Sequence, residues 1–348
     1  MTRGAARADP RAKAWGAKDM ATQQQNQWIF NALGLTIPGL SPGKDDADDG
    51  APPDGAPAPE AAHADDARSG NGAADAGGSR EDDVPLAPVV AAKAKEKQVK
   101  DASDKVTAMS DDDLKKLSSA DKVKMVKDLF ANGKPTGDAR KAQIKIYKDM
   151  DIDPAFKKRE EERADRMAKT LSSDKDLQEA RKNWTTLSAA DKVKALKKII
   201  AAQSKEYGFD PPQIETETTA PYTAADGSKH IVNGHFEASD GKLHLNVHAE
   251  SSISQDFESA LNTTLHENGH NYQARLVKDM RAGKIKPGDP DYAQAAMFDV
   301  NEDGDAYIPP KEDYDAYVKQ PEEDHSRTMG ADMSAKINKA LDEASAAH

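Results

Sequence analysis

The spacing of apolar positions changes three times along the chain. From about residue 89 apolar residues recur every three or four positions, the period of a helix that is buried on one face. After residues 211–212, both proline, they alternate with polar residues as in strands, and from about residue 257 the helical period returns. Residues 43–88 are instead rich in Ala, Gly, Pro, Asp and Ser, with too few apolar residues to form a core. The pattern predicts an α+β fold behind a disordered N-terminal region.

A short repeat marks the start of two predicted helices. The segment LSSADKVK at residues 117–124 returns as LSAADKVK at residues 187–194. Ser118 and Ser188 each stand three residues before an aspartate, a spacing at which the serine side chain caps a helix N-terminus. The repeat therefore predicts two related helical units, and we expect their role to be packing rather than chemistry.

Three segments with alternating patterns, residues 214–218, 231–238 and 243–249, are the predicted strands. Asp-Gly pairs between them, at 226–227 and 240–241, are typical of hairpin turns and predict an antiparallel meander. We expect the third strand to bind an extended substrate by strand addition at the sheet edge. His244 and His248 share one face of this strand, and a polar face opposite a buried one explains them more simply than a second metal site.

The helix predicted at residues 257–280 contains His266-Glu267-x-x-His270. Two histidines four positions apart lie on one helix face, so that both imidazoles can bind one metal ion beside the glutamate. Zinc bound in this way lowers the pKa of a water molecule to about 7. Glu267 is the candidate general base that takes the proton of that water.

The residues around this motif are also those of a helix. Ser252 or Ser254 is expected to cap its N-terminus. Gly269 lies inside the predicted helix, where glycine costs about 1 kcal/mol relative to alanine, so we expect close packing at this position.

A zinc site of this kind needs a third protein ligand. Leu276 stands where the extended HExxHxxGxxH motif has its third histidine, so the natural substitute is a carboxylate on the last helix. That helix is predicted to begin near Gln320, and its spacing leaves several ligand candidates open: Glu322, Glu323, Asp324 and His325. The candidates for stabilising a transition-state oxyanion are His325, Tyr307 and Tyr317.

Several of these features occur together in one known group of proteins. The Leu-Ser-x-x-Asp unit, the small sheet, TLHENGH at residues 264–270 and QPEEDHSR at residues 320–327 resemble the HExxH toxin and effector metallopeptidases of bacteria, particularly those of type VI secretion and polymorphic toxins. The similarity covers roughly residues 172–347. It implies that Glu323 is the third zinc ligand, with Ser326 where alanine is usual.

The resemblance implies a reaction and partners. The expected function is zinc-dependent hydrolysis of peptide bonds in a target-cell protein, with His266, His270 and Glu323 binding zinc. Secretion from the bacterial cytoplasm by a non-Sec route is expected, with a carrier or chaperone and an immunity protein as partners. The alternatives are a zinc enzyme that cuts a peptidoglycan amide and a non-enzymatic binding module with structural zinc.

The expected organisation has three parts. A delivery region and acidic linker at residues 1–88 precede a helical module at residues 89–170. A zincin-like metallopeptidase domain follows at residues 171–348, with a small antiparallel or mixed sheet, an active-site helix and a C-terminal glutamate helix.

Charge and composition limit the other classes of function. Residues 45–83 hold twelve acidic side chains against Arg68 and Arg80, so most of the net charge of −12 lies there and no nucleic-acid or membrane surface is predicted. The absence of cysteine excludes disulfides and cysteine-bound zinc. Residues 1–27 lack the apolar core of a Sec signal. The apolar island at residues 28–35 is either a helix that packs on the body or a docking peptide.

One further segment has the spacing of a metal site. Residues 299–305 start like an EF-hand calcium loop, with oxygen-bearing side chains at the first, third and fifth positions and Gly304 at the sixth. Pro310 stands at the twelfth position, where that loop has a glutamate. A tight Asx-rich turn is therefore favoured over a calcium site.

Overall fold

A computed structural model describes residues 86–223, 229–302, 304–310 and 312–346. The predictions for the acidic linker, the apolar island at residues 28–35 and the turn at residues 226–227 lie outside the described residues, except that residues 86–88 belong to the first helix. None of the described helices is long and apolar enough to cross a lipid bilayer.

The described chain is mostly helical. A 3-10 turn at Trp184–Thr186 precedes the seventh helix. The α-helices are α1 (Leu86–Ala108), α2 (Asp111–Lys115), α3 (Ser119–Leu129), α4 (Gly137–Tyr147), α5 (Pro154–Ser172), α6 (Lys175–Lys182), α7 (Ala189–Tyr207), α8 (Ser252–Gln255), α9 (Phe257–Arg281), α10 (Tyr292–Asp299), α11 (Tyr314–Lys319) and α12 (Pro321–Ala346).

Both copies of the sequence repeat begin a helix as predicted. Ser118 Oγ accepts a hydrogen bond from the backbone N–H of Asp121 at 3.1 Å, and Ser188 Oγ accepts one from Asp191 at 3.2 Å. The predicted helix caps are therefore confirmed for α3 and α7. They satisfy backbone donors that have no partner inside the helix.

The lysine that follows the aspartate in each copy of the repeat is buried, which supports a packing role for the two helices. Lys122 and Lys192 are equivalent in the repeat, and each is only 6% exposed. Lys122 Nζ donates to the carboxylate of Asp149 at 2.8 Å, whereas Lys192 Nζ donates to the backbone carbonyl of Ser254 at 2.6 Å. Each buried lysine thus ties its helix to a distant part of the chain, Lys122 to the turn after α4 and Lys192 to the short helix α8 that directly precedes α9.

The sheet is mixed, and the predicted meander is wrong. Strands β1 (Gln213–Glu217), β4 (Gly234–Glu237) and β5 (Lys242–Asn246) lie in the order β1-β5-β4, with β5 parallel to β1 and antiparallel to β4. The chain after β1 forms a separate ribbon of β2 (Tyr222–Thr223) and β3 (Lys229–His230). This long connection lets the β4–β5 hairpin return with β5, rather than β4, beside β1.

The position of β5 also corrects the expectation for substrate binding. Backbone groups of β5 pair with β1 on one side and with β4 on the other. A central strand cannot accept an added strand, so residues 243–250 do not form the predicted binding edge. The edge strands of this sheet are β1 and β4. The turn between β4 and β5 was predicted correctly, and Gly241 there has a φ of +71°, which glycine adopts without strain.

One core lies between the sheet and the long helices. Leu243 and Leu245 of β5 pack in the same cluster as Leu261 and Leu265 of α9. The predicted apolar stripe of the last helix is confirmed by the burial of Met329, Met333, Ile337 and Leu341. Helix α12 therefore packs along α9, which brings the predicted third ligand to the His-Glu-x-x-His motif.

A second core joins the N-terminal helices to the C-terminal part. Val126, Leu129 and Ile146 from α3 and α4 share a cluster with Met297 and Ile308. This cluster includes residues from both sides of residue 171, and the division into domains there remains a prediction. The coarse prediction of an α+β fold with a small mixed sheet is confirmed, while the zincin-like fold remains a prediction.

Candidate metal centre

Helix α9 carries the centre of the site. It runs from Phe257 to Arg281, one residue beyond the predicted end. The prediction of a Ser252 or Ser254 cap is wrong, because the side chain of Asp256 accepts the capping hydrogen bond from Ser259 N–H at 2.7 Å. The two serines belong to the short preceding helix α8.

The two histidines of α9 face each other. His266 Nε2 and His270 Nε2 are 3.1 Å apart, and the planes of the rings meet at 81°. Two nitrogens at tetrahedral positions, each about 2.0–2.1 Å from a zinc ion, lie about 3.4 Å apart. The observed distance is close to that of a ligand pair.

Electrostatics favour the neutral form that a ligand requires. Burial lowers the pKa of His266 well below 6.5, and the charge of a protonated His270 would lower it further. His266 is therefore uncharged at neutral pH, and an uncharged imidazole has a lone pair for a metal ion.

Two buried carboxylates lie beside the imidazoles. Glu267 Oε1 is 3.8 Å from His266 Nε2, and Glu323 Oε2 is 4.0 Å from the same nitrogen. Each of these glutamates is 1% exposed. His266, Glu267 and His270 each offer a ligand atom within 4.8 Å of the others. Glu323 of α12 is not a member of that group, although its Oε2 lies beside His266.

The structure distinguishes Glu323 from the neighbouring candidates. Glu322 presents its backbone carbonyl, which accepts a hydrogen bond from Gln273 Nε2 at 2.8 Å. Burial raises the pKa of the Glu322 carboxyl well above 4.5, and the nearby charges of Glu302 and Glu323 raise it further. Asp324 Oδ1 lies 3.3 Å from Lys319 Nζ. Of the acidic candidates, Glu323 is therefore the one beside His266, although its role as a ligand remains a prediction.

Tyr307 and Tyr317 orient Glu323. Tyr307 donates its hydroxyl hydrogen to Glu323 Oε1 at 3.1 Å, and Tyr317 donates to Oε2 at 3.2 Å. Burial and the charge of Glu323 raise the pKa of both hydroxyls well above 10, which keeps them protonated as donors. The sequence predicted these tyrosines as candidate oxyanion donors and gave no signal for their contacts with Glu323, which lies 16 residues after Tyr307 and 6 after Tyr317.

Gln273 orients His270. Its Oε1 lies 2.9 Å from His270 Nδ1, so the imidazole donates from Nδ1 and keeps the Nε2 lone pair for the centre. Its Nε2 lies 2.9 Å from Ser326 Oγ and 2.8 Å from His325 Nδ1. Gln273 stands where the longer HExxHxxGxxH motif has its glycine, and the sequence gave no signal for this role.

His325 lies behind Gln273 rather than beside the facing imidazoles. Its side chain is fully buried, with its ring 5.5 Å from that of Phe156 and 5.2 Å from that of Phe298. Its Nε2 is 3.8 Å from Glu160 Oε2. The structure does not bring His325, the predicted transition-state stabiliser, into the group around His266.

Close helix packing at the site explains Gly269. A Cβ atom at this position would lie 3.0 Å from Ser326 Oγ of α12. A Cβ at Gly330 of α12 would lie 3.4 Å from the backbone nitrogen of His266. The predicted close packing is therefore confirmed, and small residues on both helices bring α12 against the motif.

The segment resembling a calcium loop makes contacts within the protein. Asp299 Oδ1 accepts a hydrogen bond from Arg281 Nε at 2.8 Å. Asn301 Nδ2 donates to Gln320 Oε1 at 3.0 Å, and Asn301 Oδ1 accepts from Glu322 N–H at 3.1 Å. The first position of this loop thus pairs with the end of α9 and the third holds the start of α12, as a structural turn would.

Comparisons with protein-family models, curated proteins and solved structures return no match for this chain. The resemblance to effector metallopeptidases therefore remains a prediction from the motifs. The geometry around His266 and His270 is an observation that does not depend on this resemblance.

Proposed function

We propose that the protein is a zinc-dependent metallopeptidase whose metal ion is held by His266, His270 and Glu323. One observation carries this proposal: the imidazole nitrogens of buried His266 and half-buried His270 on α9 face each other at 3.1 Å, beside two buried carboxylates. Two imidazoles and one carboxylate are a ligand set of catalytic zinc sites, which keep a further position for water or substrate.

The surrounding contacts support a metal centre rather than a chance pair of histidines. Gln273 leaves the Nε2 lone pair of His270 directed at the centre. Tyr307 and Tyr317 hold both oxygens of Glu323. When bound, zinc supplies Lewis acidity, which polarises a carbonyl group and lowers the pKa of a water molecule.

Glu267 is the residue that moves protons. Its carboxylate projects beside His266 and is not needed to complete the set of two imidazoles and one carboxylate. In the proposed reaction it accepts the proton of the attacking water and delivers a proton to the nitrogen of the leaving amine. The substrate class is a protein or peptide, and we propose delivery of the enzyme as a bacterial effector on the strength of the sequence motifs.

Three glutamate-to-glutamine substitutions at and beside the site test the assignment. Glu323→Gln should lower the zinc content of purified protein, whereas Glu322→Gln should leave it unchanged. Glu267→Gln should retain zinc and lower turnover of an unfolded protein substrate by about 10²- to 10⁴-fold. Metal analysis and mass spectrometry of the cleaved bonds measure both effects, and wild-type turnover by Glu267→Gln would rule out the proposed mechanism.

A further inference from the structure

We propose a second site for a divalent transition metal, formed by Glu217, His235 and His244 on the polar face of the sheet. Each residue comes from a different strand, namely β1, β4 and β5. Their ligand atoms all lie within 4.8 Å of one another. Among the described residues this is one of two groups with that property, the other being the group at His266.

Strand pairing places the two histidines together. His235 and His244 are direct partners across the antiparallel β4–β5 pair. Their rings stack with centroids 4.4 Å apart and an interplanar angle of 4°. The sequence places His248 on the same predicted strand face as His244, where a polar face was favoured over a second metal site, and His248 Nδ1 accepts a hydrogen bond from Glu250 N–H at 3.2 Å. The partner of His244 is thus found across the hairpin rather than along the strand.

Glu217 adds negative charge to this pair. Its Oε1 lies 3.0 Å from His244 Nδ1, and the two side chains are 24% and 14% exposed. His235 is 3% exposed. Two imidazoles and one carboxylate, partly shielded from water, suit zinc or another late first-row metal better than calcium or magnesium, which prefer oxygen ligands throughout. The nitrogen lone pairs of two parallel rings lie in parallel planes and do not converge on one point. Metal binding therefore requires one of the two stacked imidazole rings to rotate.

The sheet separates this site from the centre on α9. Leu243 and Leu245, which flank His244 in β5, lie on the opposite face and pack with Leu261 and Leu265 of α9. A metal ion held by Glu217, His235 and His244 is therefore distinct from one held by the motif histidines.

A metal ion bound at this second site is expected to stabilise the three-stranded sheet. Strands β1 and β4 both pair with β5 and not with each other, and neither is longer than five residues. A metal ion bound to side chains of all three strands links the two edges through one centre. Binding to the folded chain alone raises the temperature of unfolding.

The experiment uses the full chain without a histidine tag and in a background that removes the first centre. In His266→Ala/His270→Ala protein, dialysis against zinc should leave about one equivalent bound. Added zinc should raise the midpoint of thermal unfolding by about 3 °C or more. Cobalt in place of zinc should give the visible absorption of a site with nitrogen and oxygen ligands.

Single substitutions in this background identify the ligands. His244→Ala should abolish metal binding, while Glu217→Gln, which preserves both imidazoles and the shape of the side chain, should weaken it by about tenfold or more. His248→Ala in the same background should bind zinc as tightly as the His266→Ala/His270→Ala protein does. A background protein that binds no zinc overturns the proposal, and so does equal binding by the Glu217→Gln and parent proteins. If the wild-type protein bound zinc at Glu217, His235 and His244 but not at His266 and His270, the proposed function would be wrong and the second site would be supported.

Discussion

Arg140 donates a hydrogen bond from Nη2 to the backbone carbonyl of Tyr307 at 2.8 Å, across a sequence separation of 167 residues. The same guanidinium binds both carboxylate oxygens of Glu312, at 2.7 and 2.8 Å. Next to it, Gln143 Nε2 donates to the carbonyl of Ala306 at 2.6 Å. Helix α4 therefore holds the segment that places the Tyr307 hydroxyl on Glu323.

This contact predicts that the helical module affects the metal centre. Arg140→Met should lower the free energy of unfolding by about 1–3 kcal/mol, because it removes hydrogen bonds to a charged donor. Zinc affinity should fall by several-fold among the molecules that remain folded. Lys141→Met is the matched control, since Lys141 pairs with Asp138 at the surface. Equal zinc affinity in all three proteins would show that α4 stabilises the fold without orienting Glu323.

The two tyrosines on Glu323 allow a more direct test. Tyr307→Phe/Tyr317→Phe removes two donors while keeping both rings, so Glu323 loses the contacts that fix its orientation. We expect zinc binding to weaken by about 10- to 100-fold. Competition with a chelator measures the affinity, and Tyr314→Phe, a partly buried neighbour on α11, is the control. If turnover fell while zinc affinity stayed constant, the tyrosines would act on the substrate instead.

Local sequence signals predicted much of this structure. The serine caps of α3 and α7, the β4–β5 turn, the helix from residue 257 and the apolar stripe of α12 all depend on residues a few positions apart. The parallel pairing of β1 with β5 does not, because it joins residues that are 29 positions apart in sequence, such as Ile214 and Leu243. The meander prediction failed for that reason.

The candidate metal centre shows the same distinction between features set by neighbouring residues and features set by residues far apart in sequence. The spacing of His266 and His270 places them on one helix face, whereas the choice between Glu322 and Glu323 depends on the rotation of α12 against α9. Close contact at Gly269 fixes that rotation. The pairing of His235 with His244 similarly depends on the register of a hairpin, which the turn sequence alone does not determine.

Gln273 provides a test of how His270 is oriented. Gln273→Met removes the acceptor of the Nδ1 hydrogen bond and should weaken zinc binding by about 10- to 100-fold. Gln273→Glu keeps an acceptor for His270 but loses the donors to Ser326 and Glu322. We therefore expect the glutamate variant to bind zinc more tightly than the methionine variant, as measured by chelator competition. The reverse order would assign the main role to the contacts with α12.

Behind the proposed metal centre, Glu160 lies in a fully buried position on α5. Burial alone would raise the pKa of this carboxyl, but contact with His325 and the charge of Arg163 outweigh it and hold the pKa below 4.5. Tyr207 also donates a hydrogen bond to Glu160 Oε2 at 2.8 Å. The charged form is thus more favourable in the folded protein than in the unfolded chain, where glutamate has its ordinary pKa.

Glu160 therefore stabilises the fold in a pH-dependent way. Its contribution is complete above the unfolded pKa of about 4.3 and is lost as the pH falls through the lower folded value. Glu160→Gln should lower the free energy of unfolding at pH 7 by about 3 kcal/mol, because Arg163 loses its partner in a largely buried ion pair. The difference should shrink as the pH falls below 4. Urea unfolding at pH 7, 5 and 3.5 measures it, with the exposed Glu161→Gln as control. A constant difference at all three pH values would mean that Glu160 contributes through packing rather than charge.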